Sequence, residues 1–168
     1  MFNVKTIKII ILSFILIFMA TQSKSETKVA FIQMDILINE SSAGKSLIEE
    51  LNKIDKKNKK RFKETKEKLD KEKNDITLKK DILSKEEYEK QIIKLNDKFR
   101  SFQAEAQKSA ESLKAKRNAG MQKILKEINI LLSEYSKKNE LTFIIDQKNI
   151  IIGKSDLNIT KEILKSLK

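Results

Sequence analysis

Apolar positions follow a different pattern in each stretch of this chain. Residues 9–20 form an apolar run, interrupted only by Ser13, behind Lys5 and Lys8. Residues 28–34 (KVAFIQM) are a short stretch rich in β-formers with no breaker, which predicts a strand. From residue 42 to about 138, apolar residues recur at steps of three and four among helix formers, the spacing of an amphipathic helix. Beyond Asn139, two short apolar runs, 141–146 (LTFIID) and 149–153 (NIIIG), read as strands around a Gln147-Lys148-Asn149 turn. Asn158 then caps a last short helix lined by Ile159, Ile163, Leu164 and Leu167.

The helical block has one interruption, at residues 83–87. Ser84 followed three residues later by Glu87 is a capping-box pattern, so a new helix starts there. The prediction is a helical hairpin with an outgoing arm over 42–83 and a return arm over 84–138. At 1.5 Å per residue the longer arm reaches roughly 80 Å. The return arm carries a heptad stripe: Tyr88, Ile92, Leu95, Phe99, Phe102, Ala106, then Ala110 and Leu113. The extra step of four at Ala110 reads as a stutter. Met121, Ile124, Ile128, Leu131 and Tyr135 continue the stripe. On the outgoing arm, Leu47, Leu51 and Ile54 give way to Asn58 and Phe62, then Leu69, Ile76 and Leu83. Stripes of this kind form a coiled-coil seam, here broken in the middle by polar residues.

The N-terminal run is too short to span a bilayer. Twelve residues rise about 18 Å against a hydrocarbon core of about 30 Å. Two lysines before it, and Ser23 and Ser25 after it, make the pattern of a secretory signal peptide over 1–25, cleaved near Glu26. Setting that segment and the hairpin aside leaves residues 26–41 and 139–168. Pieces that small seldom fold alone without disulfides, metal or oligomerisation. The chain has no Cys and no His, so oligomerisation is what remains. Val29, Phe31, Phe143, Ile145, Ile150 and Ile152, on the three expected strands, are the candidates for contacts between subunits.

Composition changes the picture in two further ways. The formal charge is +12, and it sits on the arms: residues 53–138 hold 26 Lys/Arg against 15 acids. Such arms are solvated, and they also attract polyanions such as anionic lipid headgroups or an acidic protein. The absence of His and Cys excludes most nucleophile–base pairs and the usual zinc and iron–sulfur sites. Glu49/Glu50 and Glu86/Glu87 sit on helical faces suited to pairing with lysines, and the three glycines are isolated. We therefore expect no enzyme activity, no cofactor and no metal.

The order of blocks, together with Lys28-Val29-Ala30-Phe31-Ile32-Gln33-Met34, Leu141-Thr142-Phe143-Ile144-Ile145-Asp146 and Asn158-Ile159-Thr160, resembles the Skp/OmpH family of periplasmic chaperones. The resemblance implies an α+β, mostly α fold and a homotrimer. Residues 26–41 and 139–168 would form its β-rich trimerisation body, and 42–138 an arm. Three arms would enclose a cavity and hold unfolded outer-membrane β-barrel proteins in the periplasm without ATP. Phe62, Phe99, Phe102 and Met121 would supply adaptable apolar contacts to such clients where the seam is imperfect. The outgoing arm is more lysine-rich than the family pattern asks, and Asp35 stands where a small residue would fit as well. The alternative is a structural or membrane-associated coiled-coil protein of the envelope, its lysines resting on anionic lipid. Export argues against nucleic acid as a physiological partner.

Overall fold

Two long antiparallel helices dominate the structure, a computed structural model that describes residues 27–167. The signal peptide expected over 1–25 lies outside the described residues. Strand β1 (Val29–Ile32) leads through helix α1 (Met34–Glu40) into α2 (Ser42–Leu78) and α3 (Lys85–Asn139). Strand β2 (Phe143–Asp146) and helix α4 (Thr160–Ser166) follow, with 3-10 turns at Gln147–Asn149 and Ser155–Leu157. The fold is mostly α with a two-strand sheet at the base of the hairpin.

Both arms start where their sequences supply caps, whereas α2 ends at Leu78, short of the end expected at 83, with the Lys79 N–H turning back to the Ile76 and Thr77 carbonyls. Ser41 Oγ accepts from the Gly44 N–H at 3.1 Å, and Ser84 Oγ accepts from the Glu87 N–H at 3.2 Å. Each satisfies a backbone donor that the first helical turn leaves without a partner. Glu86 and Glu87 in the first turn of α3 and Lys137 and Lys138 in its last turn oppose the helix dipole. The arm ends where Glu140 enters the left-handed region at φ 55° and the Leu141 N–H returns to the Ser136 carbonyl at 2.9 Å.

β1 and β2 pair in parallel, with Val29 opposite Phe143 and Ile32 opposite Asp146. Parallel strands need a crossover connection, and here the crossover is the whole hairpin. On its other side β1 receives the Ile159 N–H at the Phe31 carbonyl, 3.0 Å. Thr160 Oγ1 accepts from the Gln33 N–H at 2.8 Å and donates to Asn158 Oδ1 at 2.6 Å. Asn158 Oδ1 also accepts from the Thr160 N–H at 3.0 Å, so this side chain caps the turn entering α4 from one position before the helix N-cap residue, Ile159.

Two expectations need correction. Residues 150–153 form no strand within this chain. A tight hairpin after β2 would need a turn with positive φ. Instead Gln147–Asn149 winds as a right-handed 3-10 turn, with Asp146 Oδ1 accepting from the Lys148 N–H at 3.3 Å. The chain leaves the sheet, and Ile151 and Ile152 stand 99% and 91% exposed. The stutter is also displaced. The seam runs through Phe102, Ala106, Ser109 and Leu113, all half-buried, while Ala110 faces solvent. Regular alternation of three and four needs a residue at 109. The double step of four falls instead at Gly120, Ile124 and Ile128.

The core draws on every element at the base. Ala30 and Ile32 from β1, Leu37 from α1, Ile124 and Ile128 from α3 and Ile163 from α4 are buried together. The last turns of the return arm therefore belong to the base core, across the line drawn at residue 138. Two glycines allow close approaches. A Cβ on Gly44 would lie 1.7 Å from the Ile38 carbonyl oxygen, and one on Gly120 would lie 2.5 Å from Leu47 Cδ1.

These two sites respond differently to alanine, which by helix propensity alone would stabilise each by about 0.8–1 kcal/mol. Gly44→Ala drives a methyl into backbone and lowers stability by about 1–3 kcal/mol. Gly120→Ala meets the end of a movable leucine and stays within about 1 kcal/mol of the parent. Urea denaturation checks both, and stabilisation by Gly44→Ala would show that the α1–α2 corner is wrongly described.

Candidate functional site

The arms are packed at both ends and open between. Near the base, Leu47 and Leu51 lie on α2 and Ile124 and Ile128 on α3. Toward the tip, Leu69, Ile76 and Leu95 form a second buried cluster, with Tyr88, Ile92, Phe99 and Phe102 packed against it. Between the two clusters, over residues 52–68 of α2 and 96–123 of α3, no residue is buried. At 1.5 Å per residue the open stretch of α2 is about 25 Å long.

The middle keeps its register by polar and aromatic contacts. Arg61 Nη1 meets Glu105 Oε1 at 2.6 Å across the seam, and Lys98 meets Glu72 at 2.6 Å. Lys116 pairs with Glu50. Phe62 and Phe102 pack edge to face with centroids 6.0 Å apart, and the Arg61 guanidinium lies 4.6 Å above the Phe62 ring. Within α2, Lys53, Lys59, Lys60, Lys63 and Lys66 each reach an acid four residues away. Exposed pairs of this kind contribute little individually, about 0.3–0.5 kcal/mol on a helix. They hold helices in line without drying the surface between them.

The candidate client residues are therefore neither core nor fully free. Phe62, Phe99, Phe102 and Met121 are all half-buried. The first three gather toward the distal cluster, and Met121 sits near the base. Among the candidates for contacts between subunits, Phe31 is buried, while Val29, Ile145 and Ile150 are half-buried. Phe143 is 58% exposed and Ile152 almost wholly so. The structure thus splits that group: Phe31 is buried beside Gly153 on the face of β1 opposite Ala30 and Ile32, and Phe143 and Ile152, with Ile151 between Ile150 and Ile152, face outward on the body. The sequence reading missed Ile151, because alternation along an expected strand placed it on the other face.

Charge at the base is paired across elements. Lys28 meets Glu140 at 2.8 Å and lowers its carboxyl below the ordinary value, first by hydrogen bonding and then by charge. Lys148 meets Asp35 at 2.8 Å and is raised by the same two causes. The first pair ties the start of β1 to the left-handed residue that ends α3. The second ties the turn after β2 to the start of α1. Among the described residues, no group of three acidic side chains could hold a metal ion, and no helix is long and apolar enough to cross a membrane.

Residues 28–167 match the family model described as outer membrane protein (OmpH-like). The chain belongs to the OmpH-like family. Its fold is similar to that of a candidate outer membrane chaperone (OmpH-like) from Caulobacter crescentus CB15, with a TM-score of 0.77. The likeness covers 88% of this chain and 87% of that one at 17% sequence identity, which speaks to the fold alone. Among curated proteins, no sequence matches. The OmpH-like match begins at the residue before β1 and ends one residue past α4, so the family pattern spans base and arms together.

Two outcomes follow from this geometry. Amide exchange over 52–68 and 103–123 is faster than over 124–135 and over the distal cluster, because opening there exposes no buried apolar residue. Arms protected uniformly along their length would contradict the open middle. The Glu140–Lys28 pair should also leave a pH signature. Its carboxyl is lowered in the folded state, so its stabilisation is present above the unfolded pKa and fades as pH falls through the folded one. Glu140→Gln therefore lowers the melting temperature at pH 7 and converges on the parent toward pH 3. A difference that persists at pH 3 would assign the effect to the αL position instead.

Proposed function

We propose that this chain is an ATP-independent holdase chaperone of the periplasm, exported there by residues 1–25 acting as a cleaved signal peptide. It binds unfolded outer-membrane β-barrel proteins and prevents their aggregation. The observation that carries the reading is the open middle of the hairpin. A long pair of helices there keeps half-buried aromatic residues at the surface, inside a field of lysines. A holdase has to touch many sequences weakly and at once, and long arms offer many such contacts, which multivalency makes collectively tight. Basic arms speed the capture of acidic chains, in a salt-dependent way. Unfolded barrel strands, with their alternating apolar residues, are the aggregation-prone clients that such a surface shields.

The proposed assembly is a homotrimer. Supporting it are the exposed apolar residues Phe143, Ile151 and Ile152 on a body with only two strands. An unpaired sheet edge beside exposed isoleucines is a liability in a free subunit and a natural contact in a closed ring. Three bodies would join through these segments, and three arms would enclose one client.

Light scattering tests the whole reading. A urea-unfolded outer-membrane β-barrel protein is diluted into buffer with increasing amounts of the chain from Glu26. Suppression without ATP, saturating near three chains per client and weakening with salt, is the expected result. Unchanged aggregation in the presence of a folded helical chain would sink the reading and favour an envelope coiled coil that rests on anionic lipid.

A further inference from the structure

The open middle is asymmetric. Along one flank of the hairpin, two hollows lie end to end between α2 and α3. The one nearer the base has a volume of about 350 Å³, with Ile54 and Leu113 as apolar floor, Ser112 in its wall and Lys108 and Lys116 at its rim. The one nearer the tip has a volume of about 480 Å³, with Leu69 and Phe102 as floor, Ser101 in its wall and Lys68 and Lys98 at its rim. Glu105 lines both, and its ion pair with Arg61 crosses between them. Each hollow is large enough for an aromatic side chain.

We propose that this flank is a client groove that takes an extended, acidic segment of unfolded polypeptide, with one apolar side chain seated on each side of the Arg61–Glu105 bridge. The inference rests on the holdase reading and adds to it a place and a spacing. The midpoints of the two hollows lie nine to ten residues apart on either helix, about 14 Å along the arm. In an extended strand, residues four apart are about 13.6 Å apart and point to the same face. In an α-helix the same rise takes about nine residues, and at 100° per residue those face opposite sides. The groove therefore fits a strand-like segment and rejects a helical one. Alternating apolar residues, the signature of barrel strands, supply such same-face pairs repeatedly.

Charge selects the rest of the ligand. Lys98 and Lys116 are paired with Glu72 and Glu50, whereas Lys68 and Lys108 make no ion pair among the described residues. Against the lysines stand Asp97 and Glu105. Acidic residues flanking the apolar pair of the bound segment meet the two free ammonium groups, one at each hollow. The Arg61–Glu105 strap is about half exposed on both sides, so a ligand can displace or overlie it at small cost.

The test uses labelled nine-residue acidic peptides and fluorescence anisotropy. One peptide has two tyrosines four residues apart, and its control has the same composition with the tyrosines three apart. The first is expected to bind about tenfold more tightly. Ser101→Trp and Ser112→Trp, each filling one hollow from a solvent-facing position, weaken that peptide about tenfold at unchanged helix content. Glu105→Gln, which removes an acid and the strap, tightens it at unchanged helix content and keeps the preference for the four-residue spacing, a combination that a loosened seam would not give. Equal affinity for the two spacings, or tryptophan variants that bind as the parent does, would overturn the groove even where aggregation is suppressed. Spacing-selective binding together with failed suppression would leave the groove standing and remove the holdase reading.

Discussion

Everything in this molecule depends on closing the base of the hairpin. Two helices of 37 and 55 residues cannot hold themselves together along a seam that buries nothing in its middle. Closure comes from the parallel pairing of β1 with β2, which joins segments separated by the whole hairpin. That pairing costs loop-closure entropy, although the cost grows only logarithmically with loop length. It is offset by the core that β1, α1, α3 and α4 share. The hydrogen bond from the Gln33 N–H to Thr160 Oγ1 fixes the C-terminal segment to the point where β1 turns into α1. Thr160 is itself buried and Gln33 half-buried, so leaving the threonine hydroxyl unpaired would cost about 1–3 kcal/mol.

With the base closed, the middle of the arms can be poor in apolar burial and still be helical. The i, i+4 ion pairs of α2 and the bridges from Arg61, Lys98 and Lys116 to the opposite arm keep the antiparallel helices in register at low energy. A drier seam would be more stable and less useful, since its aromatic residues would be spent on each other. The T-shaped Phe62–Phe102 pair shows the compromise. The rings touch, and each remains half-exposed.

How much of this was legible depended on whether the signal was local. The start of α3 at Ser84, the β1 segment and the hairpin were readable because caps, β-formers and helical spacing act within a few residues. The parallel partner of β1 was not readable, since strand pairing is decided by tertiary contacts about a hundred residues away. The missing third strand failed for a subtler reason. Residues 149–153 have strand composition, but the turn before them lacks the positive-φ residues that return a chain alongside itself. The seam position at Ser109 was hidden because an alanine one residue later looked more apolar. The candidate aromatic residues were located correctly as half-buried seam neighbours only in the structure. The sequence gives no sign that Phe102 also floors a hollow on one flank.

That flank bears on how a chaperone of this kind would discriminate. A single groove holding two side chains and one or two charges can supply only modest affinity, and a holdase needs no more per site. In the proposed oligomer, linked grooves on several arms would raise the effective concentration of the next contact, so tight capture and rapid local release would coexist. A groove that favours strand spacing over helix spacing adds selectivity without sequence specificity. It would read the period of a client's apolar pattern, which barrel strands share while their sequences differ. On the proposed reading, release would follow from the client's own folding, because a strand that pairs with its neighbours in the barrel turns its apolar face to lipid and has no face left for the arm.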